Sequence, residues 1–404
     1  MKAIGSENLN DNVLYPNYNK STLNLINTIL EYYNVNTKVN SIEKLKEKLK
    51  ENKLNICLMI LDGLGNNSLE NASKKGLLNT NKYDVISSVF PPTTVAAINT
   101  ISSGLAPVEH GWLGWSLYFK EVDKSIDVFR NKFSGTNGDV AVELDYKSLI
   151  KYENIFTKIR KINSENDLEL NYYCPNTISD SMDDVNNIKY KSFKQGLKLF
   201  KENIIKKDPN KMSFTYFYCD YPDKLMHIRG ANSYLVNKKI KRMEKQIKKV
   251  YEKVKTSTVF IISADHGLTN IKGYVDLRND DELGKMLKRR PSIETRSAAV
   301  WIKDKYKGEF KERFQNKYGN KFLIFSKEEV LTRKLFGEGI PHIKVDSFLG
   351  DYLIVAKDMY CIGGDKKPKT FKHKLRYIFK HKVKFKASHA GITREEVEIP
   401  LIIL

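Results

Sequence analysis

The sequence predicts an α/β fold: a mainly parallel sheet sandwiched by helices, with a smaller inserted α+β cap. Three runs of strand length, NICLMILDG, KMSFTYFYCDYPD and TVFIISADHG, are apolar or β-branched, and each runs into an Asp. Between the runs lie long helix-like stretches such as KSFKQGLKLFKENIIKK and LVNKKIKRMEKQIKKVYEKVK. Strands alternating with helices imply a parallel sheet covered on its faces. Open sheets of this kind bind ligands beyond the carboxyl ends of their strands, which is where Asp62, Asp223 and Asp265 fall.

The elements follow in order. Residues 20–51 read as two polar helices, STLNLINTILEYY and SIEKLKEKLKE, the second with Ser41 as N-cap. From about residue 271 to 387 the alternation blurs into YVDLRND, RSAAVWIK, FLIFS and DYLIVAKDMYCI, short strand-like pieces separated by polar turns. This predicts an inserted cap over 271–387 beside a core formed by 1–270 plus 388–404. The terminal EEVEIPLIIL returns to a buried-strand pattern and closes that core.

Composition narrows the function. No uninterrupted apolar stretch approaches the ~18 residues of a membrane helix, and the polar N-terminus lacks the apolar centre of a secretory signal, so a soluble, cytoplasmic protein is expected. Cys57, Cys174, Cys219 and Cys361 are scattered without a CxxC pair, which fits reduced thiols and excludes a cysteine metal site. The net charge of +21 is spread along the chain. Residues 366–386 are sharper, with ten Lys or Arg and no acid. They read first as an amphipathic basic helix and second as a weak polyanion site.

The chemistry lies in a few motifs. FPPTTVAAINTISSGLAPVEHGW, residues 90–112, offers the hydroxyls of Thr93 and Thr94. Asp223 and His227 stand four apart, on one face if a helix begins there. Asp265 and His266 are adjacent, which suits a strand opening into a loop, and the following glycine permits the bend. His389 closes the set in SHAGIT. Three Asp, three His and a Thr suit two divalent metals that activate one hydroxyl. Mixed imidazole and carboxylate ligation favours zinc, with manganese or iron as alternatives.

With these residues placed, the chain resembles the alkaline phosphatase superfamily, specifically its type I phosphodiesterase/nucleotide pyrophosphatase branch, from Asp62 to His389. The resemblance implies that Asp62, Thr94, Asp265 and His266 hold one zinc, and Asp223, His227 and His389 the other. It implies in-line attack on phosphorus by Thr94, with Thr93 as second choice, through a phospho-threonine intermediate. The substrate class would be a phosphoester, possibly nucleotide in kind, with no membrane partner. A phosphomonoesterase or phosphonate hydrolase on the same site is the enzymatic alternative, and a non-catalytic nucleic-acid-binding protein the other. One departure stands out: Trp115 occupies the place where that branch has a phosphoryl-binding Asn. Trp115 is therefore a candidate substrate contact, as is Arg296 in SIETRSAAVWIK, where it meets a substrate phosphate or else pairs with Glu294.

Overall fold

The structure, a computed structural model, describes residues 12–50, 54–135, 143–164, 167–178, 181–363 and 385–404. Its central sheet has seven strands, in the order Lys82–Ser87, Glu398–Ile403, Thr258–Ser263, Asn55–Leu61, Ser213–Cys219, Glu169–Pro175 and Asn186–Tyr190. The last five are mutually parallel, whereas Glu398–Ile403 runs antiparallel to both neighbours. Leu61 pairs with Cys219 and Ile60 with Ser263, so three strands end at one level. Asp62, Asp223 and Asp265 follow within a few residues at that edge.

Burial explains why these runs form strands without polar alternation. Every residue of Asn55–Leu61, Ser213–Cys219 and Thr258–Ser263 is buried, as a parallel strand covered on both faces requires. Helix Tyr234–Val254 covers one face with Val236, Ile240, Met243, Ile247, Val250 and Val254, a helical-period stripe that leaves most of its lysines outside. In the second predicted helix, Glu43–Leu49, Ile42 takes the N-cap position. Ser41 is not the cap: its hydroxyl binds Glu31.

A second sheet of seven strands, antiparallel throughout, runs Phe322–Ser326, Tyr352–Ala356, Ser297–Val300, Ser292–Ile293, Ser116–Phe119, Lys124–Asp127 and Lys132–Phe133. It is not confined to residues 271–387, because its last three strands come from 116–133. That segment follows the hydroxyl-bearing helix, so the second sheet adjoins the site from both sides of the chain. Helix Lys307–Tyr318 packs Phe310 and Phe314 against one face, and Val95, Ala96 and Ala97 belong to the cluster on the other. The chain re-enters the core through a short clasp in which Thr269 and Asn270 pair with Ser388 and Ala387. The basic stretch 366–386 lies outside the described residues except for Phe385 and Lys386. No helix among the described residues is long and apolar enough to cross a membrane. All four cysteines are free and buried.

Candidate active site

Two triads meet at the carboxyl edge of the central sheet. In one, Asp62, Asp265 and His266 bring a ligand atom each to within 4.8 Å of one another, and Asp223, His227 and His389 do the same in the other. The His266 and His389 rings stack with centroids 3.9 Å apart, which sets the two triads side by side. Asp223 opens the helix Asp223–Arg229, so His227 lies one turn on, with Nε2 at 3.2 Å from Asp223 Oδ1.

Each side chain is held by its far end. Asp265 Oδ1 accepts from the Gly63 and His266 backbone amides at 3.0 and 2.9 Å, and Asp62 Oδ2 accepts from the Tyr218 hydroxyl. His227 Nδ1 meets Ala387 O at 2.9 Å and His266 Nδ1 meets Gly267 O at 3.0 Å, so both rings present Nε2 to the centre. Asp62 Oδ1, Asp265 Oδ2 and His389 Nδ1 are buried without a hydrogen-bond partner, and so is Asp223 Oδ1, because the His227 Nε2 beside it carries no proton while Nδ1 donates to Ala387 O. Four orphaned donor or acceptor atoms in one place are expensive unless something else satisfies them. A pair of cations fits that need, and a nitrogen-and-oxygen donor set suits zinc.

The charges show the same strain. Burial, then the neighbouring Asp265 and Asp223, pushes the Asp62 carboxyl well above the ordinary carboxylate range. Burial also lowers the His389 imidazole, and His266 adds to it. For Asp223, burial alone would raise the carboxyl, but His227, His389 and His266 outweigh it and hold it low.

The two threonines separate clearly. Helix Thr94–Ser103 starts at Thr94, and Thr93 is its extended N-cap residue. The Thr93 side chain is buried and donates to Glu294 Oε1 at 2.7 Å. Thr94 is half-buried, and its Oγ1 lies 3.1 Å from His266 Nε2, against the first triad. The loop before it is bound to the strand edge by Ser88 N donating to Val397 O at 2.8 Å. Gly63, at φ +77°, lets the chain turn after Asp62, and a side chain there would strike Asp223. Gly267 has a different reason from the expected bend: a Cβ would lie 2.0 Å from Glu395 O, so close packing of backbones requires it.

Arg296 does not reach the site, which corrects its reading as a substrate contact. Its fully buried guanidinium donates through Nε and Nη2 to the two oxygens of Glu396, each at 2.7 Å, and through Nη1 to Asp358 O and Tyr360 O. Nor does it pair with Glu294. Residues 294–296 form the turn between two antiparallel strands, closed by Glu294 N donating to Ser297 O, so spacing by two does not place both side chains on one face. Glu294 instead reaches the start of helix Thr94–Ser103: besides Thr93, its Oε1 accepts from Trp115 N at 2.9 Å. Burial raises this carboxyl to about 7. Sequence reasoning passed over Glu294 and Tyr218 as site residues. A buried tyrosine in an apolar strand carries no signal, whereas an acid beside an Arg invites the reading of a local pair. The Trp115 ring is half-buried, packed edge-on against Phe129 at 5.8 Å.

Acids and imidazoles thus converge at the strand ends of an α/β sheet, beside a hydroxyl at a helix start. The sequence profile described as type I phosphodiesterase / nucleotide pyrophosphatase matches residues 56–390, and the chain belongs to that family. It is thereby a hydrolase acting on phosphoester bonds. Among solved structures, murine ectonucleotide pyrophosphatase/phosphodiesterase 5, in an inactive threonine-to-alanine form with AMP, superposes with a TM-score of 0.60 at 16% identity, covering 87% of each chain. The human counterpart gives 0.59 at 17% identity, again with 87% of each chain covered. These likenesses show the alkaline-phosphatase-like fold. No curated sequence matches.

Proposed function

We propose that the chain cleaves phosphodiester or nucleotide pyrophosphate bonds through a phosphorylated Thr94, at a site for two divalent cations. The observation that carries this reading is the set of orphaned atoms on Asp62, Asp223, Asp265 and His389, each on a side chain from one of the two triads. Asp62, Asp265, His266 and Thr94 Oγ1 would hold one ion, and Asp223, His227 and His389 the other. Bound there, the ions would lower the hydroxyl pKa and offset charge on the phosphoryl oxygens.

Thr94 is the nucleophile because its hydroxyl faces the triad while that of Thr93 is engaged by Glu294. Thr94 Oγ1 forms the new bond to phosphorus as the bond to the leaving oxygen breaks, and that oxygen departs with the electron pair. Water then attacks the phosphorus of this threonine phosphodiester, the Thr94 Oγ1–P bond breaks, the hydroxyl is restored and the monoester leaves. Amides of the first turn of Thr94–Ser103 have no intrahelical partner and are suited to phosphoryl oxygens. The murine structure's description as an inactive threonine-to-alanine form bound to AMP supports both a hydroxyl nucleophile and a nucleotide-like substrate.

The test is turnover of bis-p-nitrophenyl phosphate and p-nitrophenyl thymidine monophosphate against p-nitrophenyl phosphate, with zinc or manganese, followed by acid trapping and mass spectrometry. Faster diester cleavage is expected, with a p-nitrophenyl phosphoryl or thymidylyl group trapped on Thr94. Preference for the monoester, with a bare phosphoryl group trapped, makes the chain a phosphomonoesterase, and an adduct on Thr93 reverses the nucleophile.

A further inference from the structure

Helix Tyr234–Val254 has two opposed faces. Its buried residues Val236, Ile240, Met243, Ile247 and Val250 are spaced by four and three in turn, and so are Tyr234, Lys238, Lys241, Lys245 and Lys248, two residues earlier. At about 100° per residue, a shift of two residues sets the second series opposite the first, looking into solvent. Arg242 and Lys249 widen that outward face, and all of its cations are exposed. Between residues 238 and 249 the chain has one acid, Glu244, and it is turned inward: its carboxyl accepts from the Ser73 hydroxyl at 2.5 Å and from Leu78 N at 2.8 Å. The next acid, Glu252, pairs with Lys255 at 2.7 Å.

Among the described residues, the cations of residues 238–249 on this face have no acid partner. Lys245, Lys248, Lys249 and Lys253 instead converge on one surface depression that Glu252 shares. Like charges three and four residues apart on a helix repel, so the arrangement costs the free protein stability. Lysine content alone does not account for it. In helix Lys307–Tyr318 every cation has an acid: Lys307 meets Asp304 and Asp351, Lys311 meets Glu329, Arg313 meets Glu282 and Glu309, and Lys317 meets Asp280. Helices Asn66–Ser73 and Phe193–Lys206 pack beside Tyr234–Val254, and the exposed Lys74, Lys75 and Lys194 broaden the positive surface there. At the end of the face nearest the triads, charge gives way to apolar surface. Tyr234 is 76% exposed, Leu235 45% and Ile228, which follows His227, 44%.

We propose that this face docks on an anionic lipid bilayer, with the lysines against the headgroups and Tyr234, Leu235 and Ile228 entering the interface. A nucleic acid would use the charge but gains nothing from an exposed leucine and isoleucine. A bilayer surface takes a cationic face and an aromatic and aliphatic edge together. Lysine suits the same partner, because a compact point charge meets mobile headgroups without the fixed geometry of a bidentate contact. Such a contact is peripheral and needs no membrane-spanning helix. It runs against the expectation of no membrane partner.

The experiment is co-sedimentation of the full chain with vesicles of phosphatidylcholine alone, and of phosphatidylcholine and phosphatidylserine in equal parts, over a range of salt. Binding to the anionic vesicles that weakens as salt rises is expected, with little on the neutral ones. Each lysine replaced should lower the partition coefficient about fivefold, equivalent to ~1 kcal/mol per cation near an anionic surface, so Lys245→Gln/Lys249→Gln should lower it about twenty-five-fold. Tyr234→Ala/Leu235→Ala should weaken binding at every salt concentration and leave the salt slope unchanged. The denaturant midpoints of these surface variants should not fall below the wild-type value. Equal binding to neutral and anionic vesicles, or a partition that the lysine substitutions leave unmoved, overturns the proposal. If Tyr234→Ala/Leu235→Ala leaves binding unchanged, the face is a general polyanion site and the bilayer assignment falls. It falls equally if the wild type captures a fluorescein-labelled single-stranded oligonucleotide at physiological salt and does not partition onto vesicles.

Discussion

Two groups of fully buried charges lie in this molecule and differ in one respect. Around Arg296, Nε and Nη2 meet the oxygens of Glu396, Glu396 also accepts from Gly391 N and Thr393 N, and Nη1 meets two carbonyls. At the sheet edge, Asp62, Asp223, Asp265 and His389 each keep a buried atom without a partner. The first group is complete within the chain. The second is complete only with something the chain does not supply. Burial and charge alone therefore do not mark a functional site, whereas unmet hydrogen-bonding capacity at a strand edge does.

The sharpest way to test that contrast is at Thr94, the proposed nucleophile. Thr94→Ala should lower turnover at least roughly a thousandfold, as loss of a nucleophile does elsewhere, while leaving zinc content unchanged by metal analysis. Thr93→Ala should be milder, and equal losses in the two would remove the distinction drawn from Glu294.

Next comes the satisfied group. Removing one partner of a buried ion pair costs about 3–5 kcal/mol, so Arg296→Ala should show a much lower denaturant midpoint. The KM of its folded fraction should stay at the wild-type value. A raised KM with wild-type stability would return Arg296 to the substrate.

The unsatisfied group should respond to metal. Zinc at a hundred times its dissociation constant should stabilise the protein by about 2.7 kcal/mol, read as a shift in the denaturant midpoint that Asp265→Asn largely removes. A chelated protein that is as stable and active as the zinc-loaded one would end the two-cation reading.

The smallest effect concerns Glu294, raised from 4.5 to about 7 by burial. A carboxyl whose folded pKa is raised contributes stability that is fully present below its unfolded value and lost as pH rises through the folded one. In chelated protein the Glu294 contribution should therefore be intact below about pH 4.5 and gone above about pH 7. Glu294→Gln should flatten the stability profile across that window, and an unchanged slope would mean that Glu294 is not buried in solution as described.

The parallel core was legible because fully buried strands leave long apolar runs, and their ends were marked by Asp62 and Asp265. Asp223 and His227 were legible as a helical pair for the same geometric reason. The second sheet was not fully legible. Its strands at 116–133 are short and pair with residues far along the chain, so only tertiary contact shows that they leave the core. Arg296 misled because its partner Glu396 is remote in sequence while Glu294 is two residues away. Trp115 was visible as a departure, but the cavity of about 220 Å³ that it lines exists only once residues 276–295 are folded against it.

The clasp between Thr269–Asn270 and Ala387–Ser388 has a further consequence in chain entropy. It fixes both ends of the long segment between them, and it stands next to His266 and His389, one ligand candidate on each side. Closing a long loop costs little more when the loop grows, about 0.6 kcal/mol for each doubling of its length. Loops of this segment that touch neither Arg296 nor Glu294 can lengthen or shorten while the clasp holds His266 and His389 in register. The fold thus separates the part that must not move from the part that can vary, and new substrate preferences are open to the chain without rebuilding its chemistry.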